Sequence, residues 1–284
     1  MEYHELNPLI RGRELELISK DTFEQMIQTD SIDSLGEILQ STIYQPYIYE
    51  GFDKEFEVNL SQERSKLFQW LKESAPEPEI VWIYTMRYTF HNLKVLTKAE
   101  ITGQNLDHLY IHDGFYSLEV LKDAIHTQVS VELPDSLMDY IREVHEYCEE
   151  STILQGIDVI YDRCFLTEQR RLGEQLGYPE LLEEIIAFID LTNITTTARG
   201  ILQHRSSGFM TTVISSSGSI PKDTLLSFVR GEMASFTQFL LTTDYSELLK
   251  QVIHEEQIDL VSLEQLKDDY LSSFYQVAQT QAFG

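Results

Sequence analysis

Residues 87–103 read RYTFHNLKVLTKAEITG. With Ile83 and Met86 ahead of them, Phe90, Leu93 and Leu96 recur at the spacing of one helix face, while Arg87, His91, Asn92 and Lys94 interrupt the apolar pattern. The spacing predicts a long, largely buried helix from about Glu79 to Ala99 that carries strong polar groups. A degenerate echo follows in FIDLTNITTTARGILQ, residues 188–203, where Asp190, Asn193 and Arg199 again sit among apolar residues. Two occurrences of one pattern point to an internal duplication.

Working outward, Phe56, Leu60, Leu67, Phe68 and Leu71 predict a helix over 53–74, and Pro76 and Pro78 force the turn that makes a helical hairpin with the next one. Ahead of it lie HELNPLIRGRELELISKDTFEQMI, with Asp21 and Thr22 as candidate caps, and a short amphipathic helix over 31–42. Beyond Gly103 and Gly114, FYSLEVLKDAI reads as a short helix, and Pro134 starts another. A second hairpin pairs 151–175 with a helix of some 20 residues after Gly177 and Pro179. After Gln203 the chain turns polar through Ser206–Gly208 and Ile214–Pro221, and then gives short helices to about Gln257 and a last long one over 262–281. Apolar and polar residues alternate nowhere for more than a few positions, so the expected class is all-α. Its units are 1–110, 111–213 and 214–284, in a short-short-long-long helix order.

At 284 residues and 42% hydrophobic content the chain can bury a substantial core. Lys and Arg number 21 against 47 Asp and Glu, a net charge of -26. That field repels phosphate backbones and anionic lipid, which disfavours nucleic acid and direct membrane docking and favours a basic protein partner. Two cysteines, Cys148 and Cys164, fit a reduced cytoplasmic protein. The acidic N-terminus is unlike a signal peptide, and no uninterrupted apolar run reaches the ~20 residues of a span. Insertion into the membrane is not expected.

Candidate chemistry is sparse. No Gly-Lys-Ser/Thr phosphate loop and no GxGxxG fingerprint occurs. EVHEYCEE, 143–150, lacks the second histidine of a zincin, and Ser215–Ser217 have no elbow around them. His91, His112 with Asp113, and Asp158 or Asp162 follow the order used by helical metal-dependent phosphohydrolases, although His112-Asp113 sits in a turn beside Gly114. Arg11, Arg13, Arg87, Asn92 and Lys98 have two readings: contact with a partner's carboxylates or helix end, or an internal network tying the hairpins together. No catalytic group, metal or cofactor is expected.

LIRGRELELISKDTFEQMI, the helix ending at Thr42-Ile43-Tyr44, RYTFHNLKVLTKAEITG and DLTNITTTARG together resemble the C subunit of V/A-type rotary ATPases, named d in eukaryotes. The resemblance spans nearly the whole chain and extends to the bacterial sodium-pumping members, although the transported ion is chosen by the membrane subunits. It implies an all-helical, pseudo-threefold funnel of three related units with no active site. It also implies a coupling role in the central stalk, on the cytoplasmic side of the membrane, between the D and F proteins of the shaft and the membrane rotor ring. Two departures stand out. Thr89 occupies the place where the family has Asp three residues before Asn92, whereas Asp190 keeps that type before Asn193. The chain also stops at Gly284, so the third unit is expected to lack its closing helix.

Overall fold

A computed structural model describes residues 2–112 and 114–281; Asp113 lies outside the described residues. The expected all-α class is what the chain adopts. Its helices are α1 (Tyr3–Glu14), α2 (Lys20–Ile27), α3 (Ile32–Leu39), α4 (Phe56–Ser74), α5 (Pro78–Thr102), α6 (Leu118–Thr127) and α7 (Asp135–Glu150). They continue with α8 (Gln155–Leu176), α9 (Pro179–Leu202), α10 (Ser207–Val213), α11 (Lys222–Phe228), α12 (Met233–Leu240), α13 (Ser246–Leu249) and α14 (Leu260–Gln281). The described strands are β1 (Ile253–His254) and β2 (Gln257–Ile258), an antiparallel pair pairing Ile253 with Ile258.

Helix starts follow local chemistry. Ser19, Ser31, Ser117 and Ser206 each accept a backbone N–H from the first turn of the helix they precede, satisfying donors that have no intrahelical partner. Ser19 therefore caps α2, where the sequence offered Asp21 and Thr22; those two lie inside the first turn. Pro134 and Pro221 stand at the N-caps of α7 and α11, where their fixed φ suits the entry and no donor is lost. Ser206–Gly208, expected as a polar connection, instead opens α10. Its serine cap outweighs the weak helix preference of Ser207 and Gly208.

The chain forms two compact units, one up to Tyr88 with Ile111–Phe115, the other Thr89–Tyr110 with the rest from Tyr116 onward. In the first, α1 runs back along α4: the Tyr3 hydroxyl donates to Glu77 at 2.9 Å, and the Arg13 guanidinium lies 4.2 Å from the centre of the Trp70 ring. Much of its apolar surface stays open, with Leu15 88% and Ile27 81% exposed. The second unit holds a dense core around α9, against which α8, α11, α12 and α14 pack. Leu191, Ile194 and Ala198 are fully buried with Leu225, Phe236 and Leu263. Helix α9 is long and apolar enough to cross a membrane, yet most of that stretch is buried inside the unit, as befits a core helix.

Candidate functional site

The polar groups of α9 form the most developed network. Asp190 is completely buried, and its Oδ1 accepts the backbone N–H of Ser219 at 2.8 Å and of Ile220 at 3.1 Å. Its Oδ2 accepts the Ser219 hydroxyl at 2.5 Å and the Tyr245 hydroxyl at 3.0 Å. One turn on, Asn193 donates through Nδ2 to the Ser215 carbonyl at 2.9 Å and accepts the Ser215 N–H at 3.0 Å. Two polar side chains of one helix thus satisfy both ends of the connection between α10 and α11, which the core needs because buried backbone groups must be paired. Gly218 is part of the fit: a Cβ there would lie 2.2 Å from Asp190 Oδ1. Burial, and then the Asp190 charge, push the Tyr245 phenol well above its ordinary range.

Helix α5 treats the corresponding residues differently. Thr89 is fully buried, and its hydroxyl has no hydrogen-bond partner among the described residues. Asn92 is fully buried and bonded. On the same helix Lys94 pairs with Asp162, and Lys98 Nζ donates to both oxygens of Asp158 at 2.6 and 2.8 Å, so two rungs four residues apart tie α5 to α8. These pairs are partly open to solvent and each contributes about 0.2–1 kcal/mol.

Arg87 is exposed, and its Nη2 donates to the Tyr88 hydroxyl at 2.9 Å. The apolar stripe of α5 turns Met86 and Phe90 inward, which puts position 87 on the far side. Arg11 is bonded to Glu14 on its own helix at 2.6 Å, and Arg13 lies on Trp70.

Of the hydrolase candidates, His91 Nε2 is 2.9 Å from the Leu109 carbonyl oxygen, Asp158 and Asp162 are held by lysines, His112 is exposed, and Asp113 lies outside the described residues. Among the described residues no group of His, Cys, Asp and Glu is placed to hold a metal ion.

Sequence reading passed over Glu168, fully buried in α8. It accepts from Arg171 at 2.6 and 2.9 Å, Ser136 at 3.1 Å and Tyr140 at 3.2 Å, joining α7 to α8. The only local sign was the three-residue spacing of Glu168 and Arg171. Burial and the Glu168 charge raise the Tyr140 phenol. Burial, then the Glu143 carboxylate, push the Cys164 thiol up to about 12, and Cys148 is raised by burial alone. Cys148 lines a small open pocket with His145, Glu149 and Tyr161, and burial raises its thiol; Glu168 braces α7 against α8.

The family described as "ATP synthase (C/AC39) subunit" matches residues 6–284. The chain is 99% identical over 284 residues to the C subunit of the V-type sodium ATPase of Enterococcus hirae, spanning all of this chain and 87% of that protein. It is 21% identical over 275 residues to the C subunit of the A-type ATP synthase of Methanocaldococcus jannaschii, spanning 89% of this chain and 68% of that one. The chain therefore belongs to the ATP synthase (C/AC39) subunit family, as one part of a larger machine and not an enzyme by itself.

Proposed function

We propose that this chain is the central-stalk coupling subunit of a sodium-transporting V-type ATPase, passing rotation between the D–F shaft and the membrane rotor ring. The observation that carries the reading is the division of labour among its polar groups. Asp190, Asn193, Glu168, Lys94 and Lys98 are spent on holding helices and loops together, which leaves a surface of strong negative charge and open apolar residues to work by contact. A part that transmits force without chemistry needs this combination: a stiff interior and complementary faces. The sodium specificity is carried over from the Enterococcus hirae relative.

In this proposal three helical units, 1–110, 111–213 and 214–284, descend from one ancestor and surround a pseudo-threefold axis. The echo of Thr89 and Asn92 in Asp190 and Asn193 supports it. The complex holds the chain at the cytoplasmic face of the membrane as a peripheral component. The acidic surface favours basic loops on the ring or a basic shaft end. Arg11, Arg13, Arg87 and Lys98 are the cations proposed to brace the units or meet a partner.

The test is co-purification with D–F and, separately, with a detergent-solubilised rotor ring, followed by ATP-driven sodium uptake in vesicles. Complexes depleted of the chain should hydrolyse ATP without moving sodium, and adding it back should restore uptake. Failure to bind either partner would overturn the proposal.

A further inference from the structure

Two arginines of the first unit share one aromatic ring. The Arg87 guanidinium lies 4.9 Å and that of Arg64 5.7 Å from the centre of the Tyr88 ring, and Phe68 supports that ring at a centroid distance of 6.0 Å. Both arginines are exposed, and beside Arg87 on the same stripe of α5 Tyr84 is 40% exposed. Arg64 has a further partner of its own. Arg87 is held among the described residues by Tyr88 alone, through one donor of its fork, on a side chain that is exposed.

We propose that Arg87, with Arg64 and the rings of Tyr84 and Tyr88, is a docking spot for a carboxylate-bearing segment of a neighbouring protein in the assembled ATPase. The inference rests on the coupling-subunit reading above. Arginine presents a planar fork that matches a carboxylate, and Tyr88 fixes its orientation in advance, so little rotamer freedom is lost on binding. Tyrosine and arginine are the residue types that dominate interface energetics when water is excluded. The surrounding charge adds selectivity: in a chain of net charge -26, this is a place where two cations converge, and an acidic segment that strays from it meets repulsion. An anionic bilayer offers a broad negative plane, which the rest of the acidic surface would oppose. A single acidic segment fits the size of the spot.

The experiment uses the full chain, free and in the complex with D–F and the solubilised ring. Arginine-selective modification by phenylglyoxal, read by mass spectrometry, should show Arg87 and Arg64 reactive in the free chain and shielded on assembly. The Arg87→Lys variant, treated with a zero-length carbodiimide in the complex, should give an amide link between position 87 and an Asp or Glu of another protein of the complex. Arg87→Ala should weaken assembly about thirty-fold or more, the ratio expected when one member of a covered charge pair is truncated. Its exposed position should leave the thermal unfolding midpoint unchanged, and Tyr88→Phe should weaken assembly less. If the complex forms while Arg87 stays equally reactive and yields no link, the docking spot is refuted and the coupling role stands. If no complex forms, both fall. Shielding by vesicles of anionic phospholipid without the other proteins would also overturn the proposal, in favour of a membrane contact.

Discussion

Replacing Gly218 by alanine should damage the second unit through a single atom. The added Cβ would sit 2.2 Å from Asp190 Oδ1, and that oxygen cannot retreat, because it accepts the N–H groups of both Ser219 and Ile220. Separating them leaves the buried Ile220 amide and the partly buried Ser219 amide without their acceptor, at about 1–3 kcal/mol each, or about 4 kcal/mol together. For a cooperative unit of about 190 residues this lowers Tm by roughly 8–16 °C. Asp190→Ala should cost a similar amount, since it leaves the same two amides unpaired. The double variant is the decisive measurement. With the carboxylate gone, the closest of the remaining neighbours is Ile189 Cγ2 at 3.4 Å, ordinary contact, so the pair should lose about 4 kcal/mol and not the ~8 of an additive sum. Urea unfolding followed by circular dichroism reads the cycle, and hydrogen exchange at Ser219 and Ile220 should rise in all three variants. Gly200→Ala is the control: its Cβ would meet the flexible end of Met210, 2.4 Å from Cε, which can move, so stability should change by less than about 1 kcal/mol. An additive double variant, or a Gly200 change as severe as that at 218, would refute the reasoning.

Three other outcomes follow from the same description. Thr89→Val keeps the shape and removes a buried hydroxyl that has no partner among the described residues, so it should raise stability by about 0.5–1 kcal/mol in a urea melt. At pH 8, iodoacetamide should label Cys148 slowly and Cys164 only after denaturation, because burial holds both thiols protonated, Cys164 up to about 12; quantitative mass spectrometry reads the order. The Glu63 carboxyl is held below its ordinary range by hydrogen bonds from Lys66 and then Tyr47. Its contribution is complete above the ordinary carboxylate value and disappears as pH falls through the lowered one, so the protection of α4 amides, taken relative to the intrinsic exchange rate at each pH, should fall on acidification from pH 6 to 3, and Glu63→Gln should blunt the change.

Helical spacing made the long elements legible, because α5, α7, α8 and α9 bury residues three and four apart. The β1–β2 pair was invisible for a physical reason. Its turn residues, Glu255 and Glu256, have φ of 49° and 62°, a region normally flagged by Gly or Asn, and here they carry acids. The exposure of Arg87 was not legible, because a stripe of apolar residues says little about the width of the buried face. Asp190 and Asn193 were visible as a repeated pattern, but their acceptors and donors lie 22 to 55 residues away, beyond any local rule. The departure at Thr89 was legible as a change of residue type, and the structure adds that its hydroxyl is left without a bond among the described residues.

Helix α9 is covered largely by α11, α12 and α14, all later in the chain. A ribosome that has just released Leu202 has therefore made a greasy 24-residue rod before making most of what shelters it. Until the following segments emerge, that rod is a client for holding chaperones and a decoy for the membrane-insertion machinery. Its buried Asp190, the group that later seizes the Ser219–Ile220 turn, meanwhile makes the rod a poor resident of lipid.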